Sequence, residues 1–242
     1  TVTDNDTAGV TLSKVTAAVT EGGAGDSFTV VLNTLPTGNV IIDVAGTADV
    51  TAAPASLTFT PGNWNVAQTV TLGAVDDASV EGPENSTVVL TTNAATADAN
   101  YLAVDPDDVV VTVTDNDTAG VTVAPTTAAV TEGGAGDSFT VVLNTLPTGN
   151  VIIDVAGTAD VTAAPASLTF TPGNWNLMMP RPPRATRDPT LVPSATLLRA
   201  LSTNAATADA NDLAVDPDDG VVTVTDNDTA GVTVAPTTAA VT

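Results

Sequence analysis

The sequence contains no cysteine and no histidine, and only 3% of its 242 residues are aromatic. Without cysteine there is no disulfide framework, no thiolate metal site and no thiol nucleophile. The absence of histidine removes the commonest general base and the commonest transition-metal ligand. Few aromatic rings leave few platforms on which a sugar could stack. Serine and threonine are plentiful, but none has a histidine base, so the composition predicts that the protein is not an enzyme.

Positive charge is also scarce, with 5 basic residues against 28 acidic ones and a net charge of −23. Nucleic acid and anionic membranes need a basic patch, so neither is an expected partner. Cations and cationic surfaces suit such a field better. No apolar run approaches the roughly 20 residues that cross a bilayer, which predicts no membrane span. The hydrophobic content of 43% is enough for a core, and the abundant valine and threonine favour strands.

A repeat of 111 residues organises the chain. The motif Asp-Asn-Asp-Thr-Ala-Gly begins at Asp4, Asp115 and Asp226, and residues 20–65 and 131–176 are identical. A fixed period of this kind indicates tandem modules cut from a longer array. The predicted parts are the tail of a preceding repeat at 1–6, repeat 1 at 7–117, repeat 2 at 118–228 and the start of a third repeat at 229–242.

Strand signals recur within one repeat at short intervals, separated by turn residues. In repeat 1 the predicted strands are 9–13 with 15–20 as a split first strand (A), then 27–33 (B), 39–45 (C), 56–60 (D), 66–75 (E), 87–92 (F) and 109–114 (G). No helical period occurs anywhere. The pattern predicts an all-β protein of tandem immunoglobulin-like β-sandwiches with about seven strands each.

Strand alternation predicts that many acidic side chains gather at one end of the sandwich. Loops A–B, C–D and E–F and the end of strand G all lie there, and they carry Glu21, Asp49, Asp76, Asp77, Glu81, Glu84, Asp115 and Asp117. Crowded carboxylates repel one another unless a cation joins them. An all-oxygen ligand set favours Ca²⁺ over Zn²⁺ or Cu. The alternative is that these acids are solvated loops that keep the protein soluble, as predicted for the F–G loop with Asp98, Asp105, Asp107 and Asp108.

An ordered series of motifs resembles the Calx-β domain, a module of sodium–calcium exchangers, an integrin β chain and many large bacterial surface proteins. The motifs are Thr-Glu-Gly-Gly at 20–23, Phe-Thr-Val-Val-Leu at 28–32, Leu-Thr-Phe-Thr-Pro-Gly-Asn-Trp at 57–64, the segment 74–84 and Val-Thr-Val-Thr-Asp-Asn-Asp at 111–117. The resemblance covers all of repeat 1 and most of repeat 2. It departs from the family at Ala45, where a ligand position is missing, and at Asn116, which offers only a neutral carbonyl oxygen.

The resemblance implies a set of Ca²⁺ ligands in each repeat. In repeat 1 they are Glu21, Asp76, Asp77, Glu81, Glu84, Asp115 and Asp117. In repeat 2 only Glu132, Asp226 and Asp228 remain of the corresponding set, together with Asp188 in the E–F region. The second site is therefore expected to be weak or absent.

Repeat 2 departs from repeat 1 in one window, 177–202, which replaces 66–91 at equal length. The window carries Arg181, Arg184, Arg187 and Arg199, and five prolines. Prolines cannot donate the hydrogen bonds of a central strand, so strand E is predicted to be lost or displaced, and strand F to persist weakly at 196–201. Either a functional basic docking loop or a compensated reading-frame shift explains the window.

These observations predict an extracellular or cell-surface structural module, such as a segment of a stalk, adhesin or filament, stiffened by Ca²⁺ at the junctions between repeats. The expected partners are neighbouring repeats, identical chains, or a surface or matrix ligand. The alternative is a Ca²⁺-independent assembly module that builds a fibre through strand edges or end-to-end contacts.

Overall fold

A computed structural model of the protein describes residues 5–181, 183–186 and 195–231. The chain divides into two compact units, Thr1–Asp117 and Thr118–Thr242. Most of the predicted preceding tail, most of the third repeat, Arg187 and Asp188 lie outside the described residues. No helix in the described parts is long and apolar enough to cross a membrane.

The described part of unit 1 forms nine strands. They are β1 (Val10–Leu12), β2 (Thr16–Thr20), β3 (Asp26–Leu32), β4 (Val40–Ala45), β5 (Val50–Ala53), β6 (Ser56–Phe59), β7 (Gln68–Ala74), β8 (Glu84–Thr92) and β9 (Val109–Thr114). Successive side chains of a strand point to opposite faces, so every second residue can enter the core. In β9, for example, the valines at 109, 111 and 113 are buried while their neighbours are exposed.

Two sheets build unit 1, with strand orders β1-β3-β7-β5 and β2-β9-β8-β4-β6. Phe28 and Val30 from the first sheet share one hydrophobic core with Val40 and Val111 from the second. Pairing is antiparallel except between β2 and β9, which run parallel. The predicted all-β sandwich is therefore confirmed.

Strand β5 was not predicted from the sequence. It pairs with β7 from Val50↔Ala74 to Ala53↔Thr71, and only Val50 of its residues is buried. A four-residue strand with one inward-facing hydrophobic residue gives too little alternation to recognise. Its hydrogen bonds come from a neighbour that is distant in sequence.

The described part of unit 2 repeats this arrangement with ten strands. They are β10 (Val121–Ala124), β11 (Thr127–Thr131), β12 (Phe139–Leu143), β13 (Val151–Ala156), β14 (Val161–Ala163), β15 (Ser167–Phe170), β16 (Met179–Arg181), β17 (Pro183–Ala185), β18 (Ala195–Thr203) and β19 (Gly220–Thr225). The sheet orders are β10-β12-β16, β14-β17 and β11-β19-β18-β13-β15.

The prediction that strand E is lost or displaced in repeat 2 is wrong. The segment forms β16 and β17, which pair with β12 and β14. The pair Phe139↔Arg181 has the same register as Phe28↔Val70 in unit 1, offset by the repeat length. Strand F is also longer than expected, since β18 has nine residues like its counterpart β8. The neighbouring strands β12, β13 and β14 are unchanged in sequence, and β19 differs from β9 only at Gly220. They therefore offer the same backbone partners whatever side chains the window carries.

Candidate metal centre

The parallel pair of β2 and β9 brings the first two acids together. Thr20 is paired with Thr114, and the Glu21 amide donates to the Thr114 carbonyl at 3.0 Å. Glu21 and Asp115 therefore leave neighbouring strands side by side, although they are far apart in sequence. The Asp117 amide then donates to Asp115 Oδ1 at 2.7 Å, which turns the chain back and places a third carboxylate beside the first two.

Carboxylate oxygens of Glu21, Asp115 and Asp117 lie within 4.8 Å of one another, and we call these residues the acidic triad. Glu21 is only 7% exposed. Glu21 Oε2 and Asp117 Oδ2 are buried and have no hydrogen-bond partner among the described residues. A buried, unpartnered carboxylate oxygen is costly, and a hard cation would satisfy it.

The pKa shifts of the triad carboxyls also favour a bound cation. Burial, together with the charges of Asp115 and Asp77, raises the pKa of Glu21 above its usual value. Burial, with the charges of Asp115 and Asp76, raises the pKa of Asp117. Each shift means that the ionised carboxylate is unfavourable in its surroundings. A bound cation would reverse that balance.

The loop between β7 and β8 surrounds the triad with further acids. Its backbone is tied to the triad because the Glu81 amide donates to Asp115 Oδ2 at 2.6 Å. The Ser79 amide donates to Asp77 Oδ1 at 2.6 Å, which shapes the loop itself. Burial, then Asp77 and Glu84, raises the pKa of the Glu81 carboxyl. The sequence-predicted ligands Asp76, Asp77 and Glu81 therefore border the triad.

Glu84 and Asp49 stand further out. Glu84 is exposed at the start of β8, paired with Val113. Asp49 accepts a hydrogen bond from the Ser86 hydroxyl at 3.1 Å. Neither belongs to the group of three whose oxygens lie within 4.8 Å of one another.

Asn116, in the middle of the Asp-Asn-Asp motif, acts as a hydrogen-bond donor. Its Nδ2 lies 2.9 Å from the Glu21 carbonyl oxygen and 3.1 Å from Asp76 Oδ1. Both partners are acceptors, so the amide nitrogen rather than the oxygen faces them. The sequence suggested only a neutral carbonyl oxygen here. The signal in the sequence that could have identified a donor here is the amide at a position where the family has an acid, because an amide adds two N–H donors.

Unit 2 retains the triad, but the sequence of the loop that borders it in unit 1 is different. Oxygens of Glu132, Asp226 and Asp228 lie within 4.8 Å of one another, and Glu132 is 3% exposed. The Asn227 amide donates to the Glu132 carbonyl at 2.6 Å, as Asn116 does in unit 1. In the sequence, however, Arg187 stands at the position of Asp76, and Val192 at that of Glu81.

The acidic F–G loop is not wholly a solvated loop, contrary to the prediction from sequence. Asp98 is 1% exposed. Its Oδ2 accepts the Thr37 amide at 2.6 Å, and its Oδ1 accepts the Asn100 amide at 2.8 Å. These bonds lower the pKa of Asp98, the Thr37 amide contributing most. An open cleft of about 580 Å³ adjoins this loop, but both oxygens of Asp98 are already bonded to the protein.

Comparison with known proteins gives weak similarities only. No family model matches the sequence, and no curated protein matches it. Among solved structures, the chain is similar to CBD12 from CALX1.2, with 13% identity, a TM-score of 0.36, and coverage of 89% of this chain and 99% of that chain. It is also similar to the calcium binding domain CBD12 of CALX1.1, with 16% identity, a TM-score of 0.37, and coverage of 88% and 98%.

A protein with another role gives a similarity of the same size. The E. coli chaperone DraB has 8% identity and a TM-score of 0.34, with coverage of 89% of this chain and 98% of that chain. Similarities at this level do not distinguish one function from another. The functional argument therefore depends on the geometry of the triad.

Proposed function

We propose that this chain is a segment of an extracellular or cell-surface structural protein whose β-sandwich repeats bind Ca²⁺ through the acidic triad. The observation that carries the proposal is the buried Glu21 side chain. It has an unpartnered Oε2 and lies against two further carboxylates. A neutral side chain could fill this buried position without the cost of burying a carboxylate. An acid that served only to keep the surface soluble would be exposed.

The chemistry of the donors favours Ca²⁺ among metal ions. The triad and the adjoining β7–β8 loop provide only oxygen ligands, which excludes the usual nitrogen and sulfur donors of Zn²⁺ and Cu. Ca²⁺ accepts 6–8 oxygens in irregular geometry from flexible loops, whereas Mg²⁺ requires a nearly ideal octahedron. Asp76, Asp77 and Glu81 supply further oxygens beside the three of the triad.

The position of the triad in the chain supports a structural role. Asp117 is the last residue of unit 1. A cation held by Asp117, Asp115 and Glu21 would fix the end of β9 to the β2–β3 turn and restrict the chain where the next repeat begins. Such restriction suits a stalk, adhesin or filament segment, with neighbouring repeats, identical chains, or a surface or matrix ligand as partners.

Titration of the whole chain with CaCl₂ tests the proposal. We expect calorimetric heat, and an increase in the stability of unit 1 of about 2.7 kcal/mol when free Ca²⁺ exceeds the dissociation constant a hundredfold. MgCl₂ at the same concentration should give a smaller increase. Each unit has one tryptophan packed against its own core, so Trp175→Phe leaves Trp64 to report the unfolding of unit 1.

Two single-charge variants provide the matched control. Glu21→Gln keeps the shape of the buried side chain and removes its charge, so it should weaken Ca²⁺ binding more than about tenfold, a loss above about 1.4 kcal/mol. Asp107→Asn removes one charge from an exposed residue of the β8–β9 loop and should leave binding unchanged. Equal binding by both variants would reject the triad as the site.

A chain that gives neither heat nor a thermal shift at about 1 mM Ca²⁺ would favour the Ca²⁺-independent assembly module. Small-angle scattering separates the two functions further. Calcium stiffening predicts a narrower distribution of particle dimensions with Ca²⁺ than with chelator. An ion-independent module predicts the same scattering curve in both buffers.

A further inference from the structure

The amide of Asn116 occupies the space between two electronegative groups. It contacts the Glu21 carbonyl oxygen at 2.9 Å and Asp76 Oδ1 at 3.1 Å, so both of its N–H bonds are directed at oxygens. It thereby connects the β2–β3 turn, the end of β9 and the β7–β8 loop. A side chain that carried an acceptor here would meet two acceptors and repel both.

The β2–β3 turn is shaped to admit this amide. Gly22 has a φ of +58°, a left-handed conformation that favours glycine. A Cβ at Gly22 would lie 2.6 Å from Asn116 Nδ2, so any other residue would displace the amide. Gly133 in unit 2 has a φ of +63° and adjoins the corresponding contact of Asn227. The turn and the amide therefore form one arrangement that both units share.

The partial positive charge of an amide N–H can replace part of the charge of a cation. In unit 1 it lies beside Asp76, and unit 2 has Arg187 at that sequence position. In both units the contact with the main-chain carbonyl of the triad glutamate remains. In unit 1 the acidic β7–β8 loop contributes the carboxylate that the amide also contacts.

We propose that Asn116 is a positioning residue that takes the place of a second cation. Its amide holds Asp76 and the Glu21 carbonyl together and limits unit 1 to the ion bound by the triad. The expected number of bound ions rests on the proposed calcium function. The role of the two hydrogen bonds of Asn116 applies to the ion-free protein as well. An acid in place of Asn116 would leave its own carboxylate, the Asp76 carboxylate and the carbonyl oxygen facing one another, which is a ligand set for a further Ca²⁺.

The first test is carried out in chelator, with the whole chain and Trp64 as the reporter of unit 1. Asn116→Ala removes the two hydrogen bonds and should lower the melting temperature of unit 1 by roughly 5 °C. Asn116→Asp is nearly isosteric but introduces repulsion, so it should melt lower than Asn116→Ala. The matched variant Asn227→Asp has no aspartate at the Asp76 position and should lower the melting of unit 2 less. An Asn116→Asp chain that melts at or above Asn116→Ala would overturn the inference.

The second test counts bound calcium by equilibrium dialysis. Asn116→Asp should bind one Ca²⁺ more per chain than the wild type, and Asn116→Ala and Asn227→Asp should bind no more than the wild type. A purely structural role of Asn116 would not increase the ion count. An unchanged count in Asn116→Asp would overturn the inference. A wild-type chain that binds no calcium would reject the proposed function, while the chelator test would still decide what Asn116 does.

Discussion

The two units differ most in the segment that contains β7 and β8 in unit 1 and β16 to β18 in unit 2. The paired residues nevertheless keep the same register, although the two short strands β16 and β17 stand where unit 1 has the single strand β7. Val50↔Ala74 in unit 1 corresponds to Val161↔Ala185 in unit 2. The comparison indicates that the neighbouring strands, which differ only at Gly220, determine the register. The side chains of the replaced segment determine how well the core is packed and whether its buried polar groups have hydrogen-bond partners.

One cross-strand pair shows how unit 2 accommodates its window. Val88↔Val109 in unit 1 becomes Arg199↔Gly220 in unit 2. Arg199 is 1% exposed, and its Cζ lies 3.2 Å from the centroid of the Phe139 ring. A Cβ at Gly220 would overlap the guanidinium, so the small residue makes room for the large one. Gly220 lies outside the window, but its substitution fits that of Arg199.

The accommodation is incomplete. The three guanidinium nitrogens of Arg199 have no hydrogen-bond partner among the described residues. Burial lowers the pKa of Arg199, and the charge of Asp219 opposes that shift. A buried charge without a hydrogen-bonded partner is costly. Unit 2 is therefore expected to be the less stable of the two.

Restoring the valine pair should have the largest effect on this difference. The double variant Arg199→Val/Gly220→Val should raise the free energy of unfolding of unit 2 by about 4 kcal/mol, since it replaces a buried charge with packed apolar groups. Trp64→Phe leaves Trp175 to report unit 2 in urea. Gly220→Val alone should destabilise unit 2, because the added side chain overlaps Arg199. Additive effects of the two single variants would contradict the proposed compensation.

A second difference concerns Tyr101 and Asp212. The Tyr101 hydroxyl donates to the Thr34 carbonyl at 2.8 Å and accepts the Thr34 amide at 3.1 Å. In unit 2 the carboxylate of Asp212 is 1% exposed, and its Oδ1 has no partner among the described residues. Burial, with the charge of Asp209, raises the pKa of Asp212 to about 6.

This shift predicts that the stability of unit 2 depends on pH. The folded state holds the proton of Asp212 more tightly than the unfolded state, so unit 2 should lose about 3 kcal/mol as the pH rises from about 4 to about 6. Asp212→Asn should remove this dependence, and Asp212→Tyr should in addition restore the bonds that Tyr101 makes. Urea unfolding at several pH values measures the effect. A slope that persists in Asp212→Asn would assign it to another group.

The smallest expected difference in stability between the two units comes from a surface ion pair. Lys14 Nζ lies 2.5 Å from Asp26 Oδ1 in unit 1, whereas Pro125 occupies the corresponding position in unit 2. The bond from Lys14, with the Ser27 amide, lowers the pKa of Asp26. Lys14→Ala should cost unit 1 roughly 0.5 kcal/mol at neutral pH, and the cost should disappear as Asp26 is protonated in acid. A loss much larger than this would indicate that Lys14 contributes through packing.

Much of the sandwich could be predicted because its strands alternate clearly, as in β3, where Phe28, Val30 and Leu32 are buried. β5 was missed because it has a single inward hydrophobic residue. The prediction for the segment with β16 and β17 was wrong because it considered the hydrogen bonds that prolines cannot donate but not the strands that flank the segment. Of the proposed ligands, the sequence predicted that Glu21, Asp115 and Asp117 lie at one end, but it could not rank them above Glu84.

The sequence by itself determined the repeat, the alternation of buried and exposed residues, and the collection of acids in loops at one end, because each depends on local order along the chain. Only the tertiary structure decided which acids meet. The parallel pairing of β2 and β9 places Glu21 beside Asp115, buries it and leaves Oε2 without a partner. The tertiary structure also makes Asn116, for which the sequence suggested only a neutral carbonyl oxygen, a hydrogen-bond donor, because its neighbours in space are acceptors contributed by distant segments.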